Sequence, residues 1–313
     1  MQTISLGSSS MQVSRLAYGC WRILGPEGAV PDAGREASAR QAVLAAWDAG
    51  FTFFDLADVY ADGAAERIFG EVLKQTAGLR ERVVITTKCG IRRKGTPASD
   101  SPYRYDFSAD YIIQACEQSL QRMGGEMIDV FQLHRPDYLM DPTEVAAAFT
   151  KLRQQGKVRE FGVSNFRPQQ LALLQSACPF RLLVHQVEMS LAKLDCFEDG
   201  TLEHCLGEKI TPMAWSPLGG GRLADTLPID INGPDHARRI GVRETLDDIA
   251  RDHQVARPLI ALAWLLKHPA GIIPVIGSAR PEHIRAQAGA VEVTLSRDEW
   301  YRLMEAARGA RLP

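Results

Sequence analysis

The chain has 313 residues, 45% of them hydrophobic, with 36 Lys and Arg against 38 Asp and Glu for a formal charge of −2. That length suits one large α/β barrel or two ordinary domains, and the near-neutral balance, without a long run of one sign, speaks against nucleic acid as a partner. The longest unbroken apolar run, Leu259 to Leu266, is eight residues, far short of the roughly 20 that cross a bilayer, so no membrane helix is expected.

Met1 to Ser10 carry neither the basic residues nor the apolar stretch of an export signal, which points to a cytoplasmic protein. Within them, Ile4/Leu6 and Met11/Val13 alternate around Gly7-Ser-Ser-Ser10, the pattern of a small hairpin that would plug one end of a barrel. Short β-branched or aromatic runs then alternate with segments of helical period, as in βα units around a parallel sheet. Eight strands are predicted, ending near Gly19, Asp55, Lys88, His134, Ser164, Gln186, Ser216 and Ile276. The matching helices are Ser38 to Ala49, Ala65 to Lys74, Asp110 to Met123, Pro142 to Gln155, Pro168 to Ala177, Glu198 to Gly207, Glu244 to His253 and Glu282 to Ala288. Asp141 before Pro142 reads as a helix entry and Gly156 as its exit.

Two further helices, Pro258 to Lys267 and Ser296 to Ala307, exceed the eight-unit plan and are expected as additions near the C-terminus. The connections Cys89 to Phe107 and Pro217 to about Ile240 are long and rich in Gly, Pro and charge, as binding lids are. No Pro- or Ser-rich linker divides the chain, so residues 1–313 are expected to form a single (β/α)8 barrel domain, a TIM barrel. The six cysteines form no C-x-x-C, and the histidines show no metal-ligand spacing, so reduced buried thiols and no metal site are expected.

Nearly every apolar run stops at a polar group: Asp55, Lys88, His134, Ser164-Asn165, Gln186 and Trp215-Ser216. In a parallel barrel the C-terminal strand ends share one mouth, so these residues would face one pocket. Five residues of continuing strand would carry Tyr60 roughly 16 Å from Asp55, so Tyr60 must sit on a turn folded back toward Lys88. An ammonium about 4 Å from the phenol, at an effective dielectric of 20, contributes about 4 kcal/mol, enough to lower the phenol from about 10 toward neutrality. Asp55 would hold Lys88 charged, and His134 would aim a donor at the same substrate oxygen. The four would polarise a carbonyl and protonate the alkoxide formed as hydride arrives from a reduced nicotinamide.

These residues, with the words GFTFFDLADVYADGAAERIFG, LHRPD and GKVREFGVSNF, resemble the aldo-keto reductase superfamily over essentially the whole chain. The resemblance implies a (β/α)8 barrel reducing aldehydes or ketones with NADPH, with Asp55, Tyr60, Lys88 and His134 as its catalytic tetrad. It also implies that Ser164, Asn165 and Gln186 bind the nicotinamide carboxamide, that Trp215 stacks on the ring, and that Trp21 walls the substrate pocket. Ser216, Leu218, Gly219, Gly220, Gly221 and Arg222 resemble the loop around the pyrophosphate. Gly277, Ser278, Arg280, His283 and Gln287 correspond to the adenosine 2′-phosphate site. There Gly277 replaces a common lysine and His283 a common arginine, so NADPH preference would fall to Arg280, with NADH possible.

Other readings weigh less. Gly219-Gly-Gly221-Arg-Leu-Ala224 fits a dinucleotide fingerprint, but Pro228 and Gly233-Pro234 follow soon after and no strand–helix frame surrounds it. Asp55 and Asp58 could form the carboxylate pair of a hydrolase, which leaves Lys88 and Tyr60 unexplained. Arg92-Arg93-Lys94 reads as a solvated loop or as a guide for an anionic substrate. Because some members of the superfamily serve ion channels, a nicotinamide-binding regulatory subunit with slow turnover is the functional rival.

Overall fold

A computed structural model describes residues 1–26, 28–224 and 235–312. The part of the Pro217–Ile240 connection at 225–234, with Pro228 and Gly233-Pro234, lies outside the described residues. The chain opens with β1 (Thr3–Ser5) and β2 (Gln12–Ser14), paired antiparallel. It continues through β3 (Ala17–Gly19), α1 (Ala33–Asp48), β4 (Phe53–Asp55), α2 (Ala64–Gln75) and β5 (Val84–Cys89). A two-stranded ribbon, β6 (Ile91–Arg92) and β7 (Arg104–Tyr105), leads to α3 (Ala109–Met123). Next come β8 (Ile128–Leu133), α4 (Pro142–Gln154), β9 (Val158–Ser164), α5 (Pro168–Ala177), β10 (Val184–Glu188), α6 (Thr201–Glu208) and β11 (Thr211–Trp215). The chain ends with α7 (His236–Asp252), α8 (Arg257–Leu266), β12 (Ile273–Ile276), α9 (Pro281–Ala288) and α10 (Arg297–Arg308).

Eight strands close a parallel barrel in the order β3-β4-β5-β8-β9-β10-β11-β12, with β12 returning to β3. Being covered on both sides, they need no polar alternation, and all six residues of β8 are buried. The polar exceptions are paired: Asp129 accepts from the Ile85 amide at 2.9 Å, and Gln132 donates to Thr86 Oγ1 at 2.6 Å. The hairpin closes the N-terminal end, where Leu6, Met11 and Val13 are buried against Phe53, Val130 and Met213. Gly7 pins it by donating its amide to Thr211 Oγ1 at 2.7 Å, at the start of β11. With φ of 55° and Leu183 O only 2.8 Å from where a Cβ would stand, position 7 admits no side chain.

Three boundaries and one assignment differ from the sequence-based expectation. α1 begins at Ala33 rather than Ser38 because Asp32 accepts a hydrogen bond from the Arg35 amide and caps the helix there. α6 begins at Thr201 rather than Glu198, after Gly200 turns the chain at φ 84°. α7 begins at His236 rather than Glu244. The seventh barrel helix is also α8, which packs on β12, whereas α7 packs on α10 and forms the addition with it. Periodicity could not separate them, because it marks an apolar face without naming what that face covers.

Candidate active site

The C-terminal mouth of the barrel gathers Asp55 from β4, Lys88 from β5 and His134 just beyond β8. The chain after Asp55 keeps the sheet ladder for three residues, with the Leu56 amide on Thr86 O at 2.8 Å and the Asp58 amide on Lys88 O at 3.0 Å. It then turns tightly through Ala61 and Asp62, both left-handed at φ 47° and 54°, and Gly63 at φ 84°. Arg93 braces this turn, donating to Val59 O at 2.6 Å and pairing with Asp62 at 2.8 Å. The phenol of Tyr60 is thereby folded back over the mouth.

Lys88 is fully buried, and its ammonium has three donors for three acceptors: Asp55 Oδ1 at 2.7 Å, Leu56 O at 2.8 Å and Tyr60 Oη at 3.1 Å. Since an ammonium only donates, Tyr60 Oη accepts here and its own hydrogen is left for another partner. The rings of Tyr60 and His134 meet edge to face with centroids 5.9 Å apart. The structure therefore brings the four sequence-predicted residues together.

Their charge states correct one expectation. Burial pushes the Tyr60 phenol up to about 12, against the downward pull of Lys88 and with a further upward push from Asp55. The sequence-based estimate counted the ammonium alone; at the site a carboxylate sits 2.7 Å from that ammonium and cancels much of its field. Burial pulls Lys88 down, but Asp55 and Tyr60 outweigh it and leave the amine above its usual value. Burial, then Lys88 and Arg135, holds His134 well below the ordinary imidazole value, so the ring is neutral. Its Nδ1 is buried and has no partner among the described residues.

Asp55 Oδ1 also accepts from Gln186 Nε2 at 2.7 Å, so Gln186 supports the tetrad as well as facing the cavity. Asn165, left-handed at φ 62°, spends both amide hydrogens on His134 O at 3.0 Å and Ser164 Oγ at 2.8 Å. Its Oδ1 accepts from Trp215 Nε1 at 3.0 Å and so orients the indole.

Two cavities meet at this point, each lined by Trp21, Tyr60 and Trp215. One, of about 580 Å³, extends past His134, Ser164, Asn165 and Gln186 toward Arg93, Tyr103 and Arg135. The other, of about 270 Å³, runs between Ser216, Leu218, Gly220 and Gly221 on one side and Gly277, Ser278, Arg280, His283 and Gln287 on the other. Gly219 is buried beneath that turn and Arg222 is exposed; neither lines either cavity. The groove suits a nucleotide: a Cβ at Gly220 or Gly277 would meet nothing, Arg280 and His283 stand 3.2 Å apart at one end, and Gln287 Oε1 is a buried acceptor without a partner among the described residues. Arg135 and the Gln186–Asp55 bond were not singled out by sequence; each follows a residue or strand end that was.

Among the described residues all six cysteines are free and buried, no cluster of His, Cys, Asp and Glu is placed to hold a metal, and no helix is long and apolar enough to cross a membrane. Residues 15–308 match the model of the Aldo/keto reductase family. The chain is 43% identical to a 6-dehydroglucose reductase of Novosphingobium aromaticivorans, over 98% of this chain and 96% of that one. It is 39% identical to a 6-dehydroglucose reductase of Agrobacterium fabrum, over 99% of each. The holo form of aldo-keto reductase AKR11C1 from Bacillus halodurans superposes with a TM-score of 0.83 at 25% identity, covering 99% of this chain and 97% of that one. The chain belongs to the aldo/keto reductase family, whose members are oxidoreductases of carbonyl compounds that work with nicotinamide cofactors.

Proposed function

We propose that this protein reduces an aldehyde or ketone to an alcohol, with Tyr60 as the acid, Lys88 and Asp55 as its support, His134 orienting the carbonyl, and NADPH as the preferred reductant. The observation that carries this reading is the ammonium of Lys88 between Asp55 Oδ1 and Tyr60 Oη, which leaves the phenol with its proton and a free direction for donating it. A reduced nicotinamide bound in the groove supplies hydride to the carbonyl carbon.

The protein's part is positioning and proton delivery. Neutral His134 and the Tyr60 hydroxyl donate to the carbonyl oxygen, polarising it before transfer. As charge builds on that oxygen, Tyr60 gives up its proton, and Lys88, already bonded to Oη, stabilises the phenolate that remains. A phenol pushed up to about 12 is a weak acid on its own, yet an alkoxide is far more basic, so the transfer runs downhill. Trp215, held by Asn165, presents a flat face for the nicotinamide, and Ser164 and Gln186 line the same wall for its carboxamide. Ser216, Leu218, Gly220 and Gly221 would fold around the pyrophosphate, with Gly219 supporting the turn from beneath and Arg222 at its exposed edge. Arg280 offers the cationic end for a 2′-phosphate, with His283 bonded to it and Gly277, Ser278 and Gln287 about the adenosine. The six buried, unbridged cysteines agree with work in the cytoplasm.

The test is oxidation of NADPH by purified protein with a panel of carbonyl compounds, beginning with 6-dehydroglucose, for which two relatives are named. Tyr60→Phe should lower kcat by about 100-fold or more while cofactor Kd holds. Substantial turnover by that variant would refute the role of Tyr60, and tight NADPH binding without oxidation of any carbonyl would favour a sensor.

A further inference from the structure

Arg93 and Arg135 line the larger cavity, Arg92 neighbours Arg93 in sequence, and the three differ in what they are bonded to. Arg92 pairs with Asp106 at 3.3 Å, and Arg93 is committed to Asp62 and Val59 O. Arg135, the residue after His134, is half-buried and makes no hydrogen bond or ion pair with any described residue. Its guanidinium carbon lies 5.8 Å from the centroid of the Trp215 ring, and its charge is close enough to help hold His134 neutral. Among the described residues one carboxylate lines the cavity, Asp62, and it is already spent on Arg93. Among the described residues, then, one positive charge without a counter-charge faces the space beside Tyr60 and His134.

A guanidinium cannot shed its proton to relieve that imbalance. Partial burial without a counter-charge costs desolvation that a bound anion would recover, and the planar fork of Arg matches a carboxylate or a phosphate through two parallel hydrogen bonds. We propose that Arg135 is a specificity-determining residue, whose guanidinium receives an anionic oxygen group, carboxylate or phosphate, carried by the carbonyl substrate at the end away from the carbonyl. This rests on the reductase reading above and narrows its substrate class.

The test compares matched substrates with NADPH: succinic semialdehyde against butanal for a carboxylate, and glyceraldehyde 3-phosphate against glyceraldehyde for a phosphate. Wild type should favour at least one anionic member by kcat/KM, and the pair showing it identifies the group. In Arg135→Gln that preference should fall by about tenfold or more, mostly through KM, the low end of what a hydrogen bond to a charged group contributes. Arg135→Lys, which keeps charge but loses the fork, should lie between, and it serves alone if Arg135→Gln does not fold. A preference that moves less than twofold in both pairs overturns the proposal, as does an equal loss for glyceraldehyde and its phosphate, which would make Arg135 a hydroxyl donor.

If wild type oxidises NADPH with no carbonyl at all, the reductase reading fails by itself. Arg135 is then judged by quenching of tryptophan fluorescence with succinate and with glycerol 3-phosphate: saturable quenching lost in Arg135→Gln upholds an anion site, and identical titrations overturn it.

Discussion

Gln186 donates an amide hydrogen to Asp55 Oδ1 at 2.7 Å, joining strands β10 and β4 from opposite parts of the barrel wall. The same oxygen accepts from Lys88 at 2.7 Å, so one carboxylate oxygen anchors two side chains that face the mouth. Removing the amide in Gln186→Leu should cost about 2 kcal/mol of stability, within the 1.5–3 typical of hydrogen bonds to charged groups, as read by urea unfolding. A variant as stable as wild type would show that Asp55 needs no second donor.

Because burial pushes Tyr60 up to about 12 and His134 is neutral, neither residue changes protonation near pH 7. The acid is competent below its own pKa and the imidazole above its own. The kcat/KM for carbonyl reduction should therefore stay level from about pH 7 to 9 and fall only in stronger alkali. A fall centred near neutrality, persisting in Asp58→Asn, would restore the picture of a phenol lowered by Lys88.

Asp58 gives the fold a pH dependence of its own. Burial, then the negative charge of Glu66, against Arg122, pushes its carboxyl up to about 7, and Oδ1 has no partner among the described residues. An unfolded aspartate loses its proton near pH 4, so between about pH 4 and 7 the native state binds more protons than the unfolded state, and stability falls as pH rises through that window. Asp58→Asn removes this loss. Its stability relative to wild type should grow between pH 5 and pH 7 by up to about 1.4 kcal/mol per unit, measured by urea unfolding at both values. A constant difference would mean that Asp58 is ionised in the folded protein throughout.

Arg280 bonds His283 at 3.2 Å and lines the groove at the end assigned to the 2′-phosphate. Arg280→Ala should reduce the ratio of NADPH to NADH affinity by about tenfold through loss of charge-assisted bonds, with Kd for each cofactor as the readout. An unchanged ratio would move phosphate recognition elsewhere, and a preference for NADH in wild type would end it.

Local pattern carried much of this protein. Six of the eight apolar runs close on a polar residue, and that was enough to place Asp55, Lys88, His134 and Gln186 at strand ends, because a parallel strand covered on both faces tolerates polar groups chiefly where it leaves the sheet. The need for a turn before Tyr60 followed from the length of an extended chain alone. Helix starts were read less well: Asp32 sits before a glycine-containing turn that masks the apolar period of α1, and the cap shows only in the bond to Arg35.

What sequence determined by itself was therefore the alternation of elements and the identity of the residues at one barrel end, since both follow from local preferences and chain geometry. What only the tertiary structure decided was how those residues share charge and hydrogen bonds. Lys88 lies between a carboxylate and a phenol, Gln186 reaches across to Asp55, α8 rather than α7 covers the sheet, and Arg135 has no counter-charge among the described residues. Pairing, burial and field cancellation depend on distances between segments far apart in the chain, which no local pattern encodes.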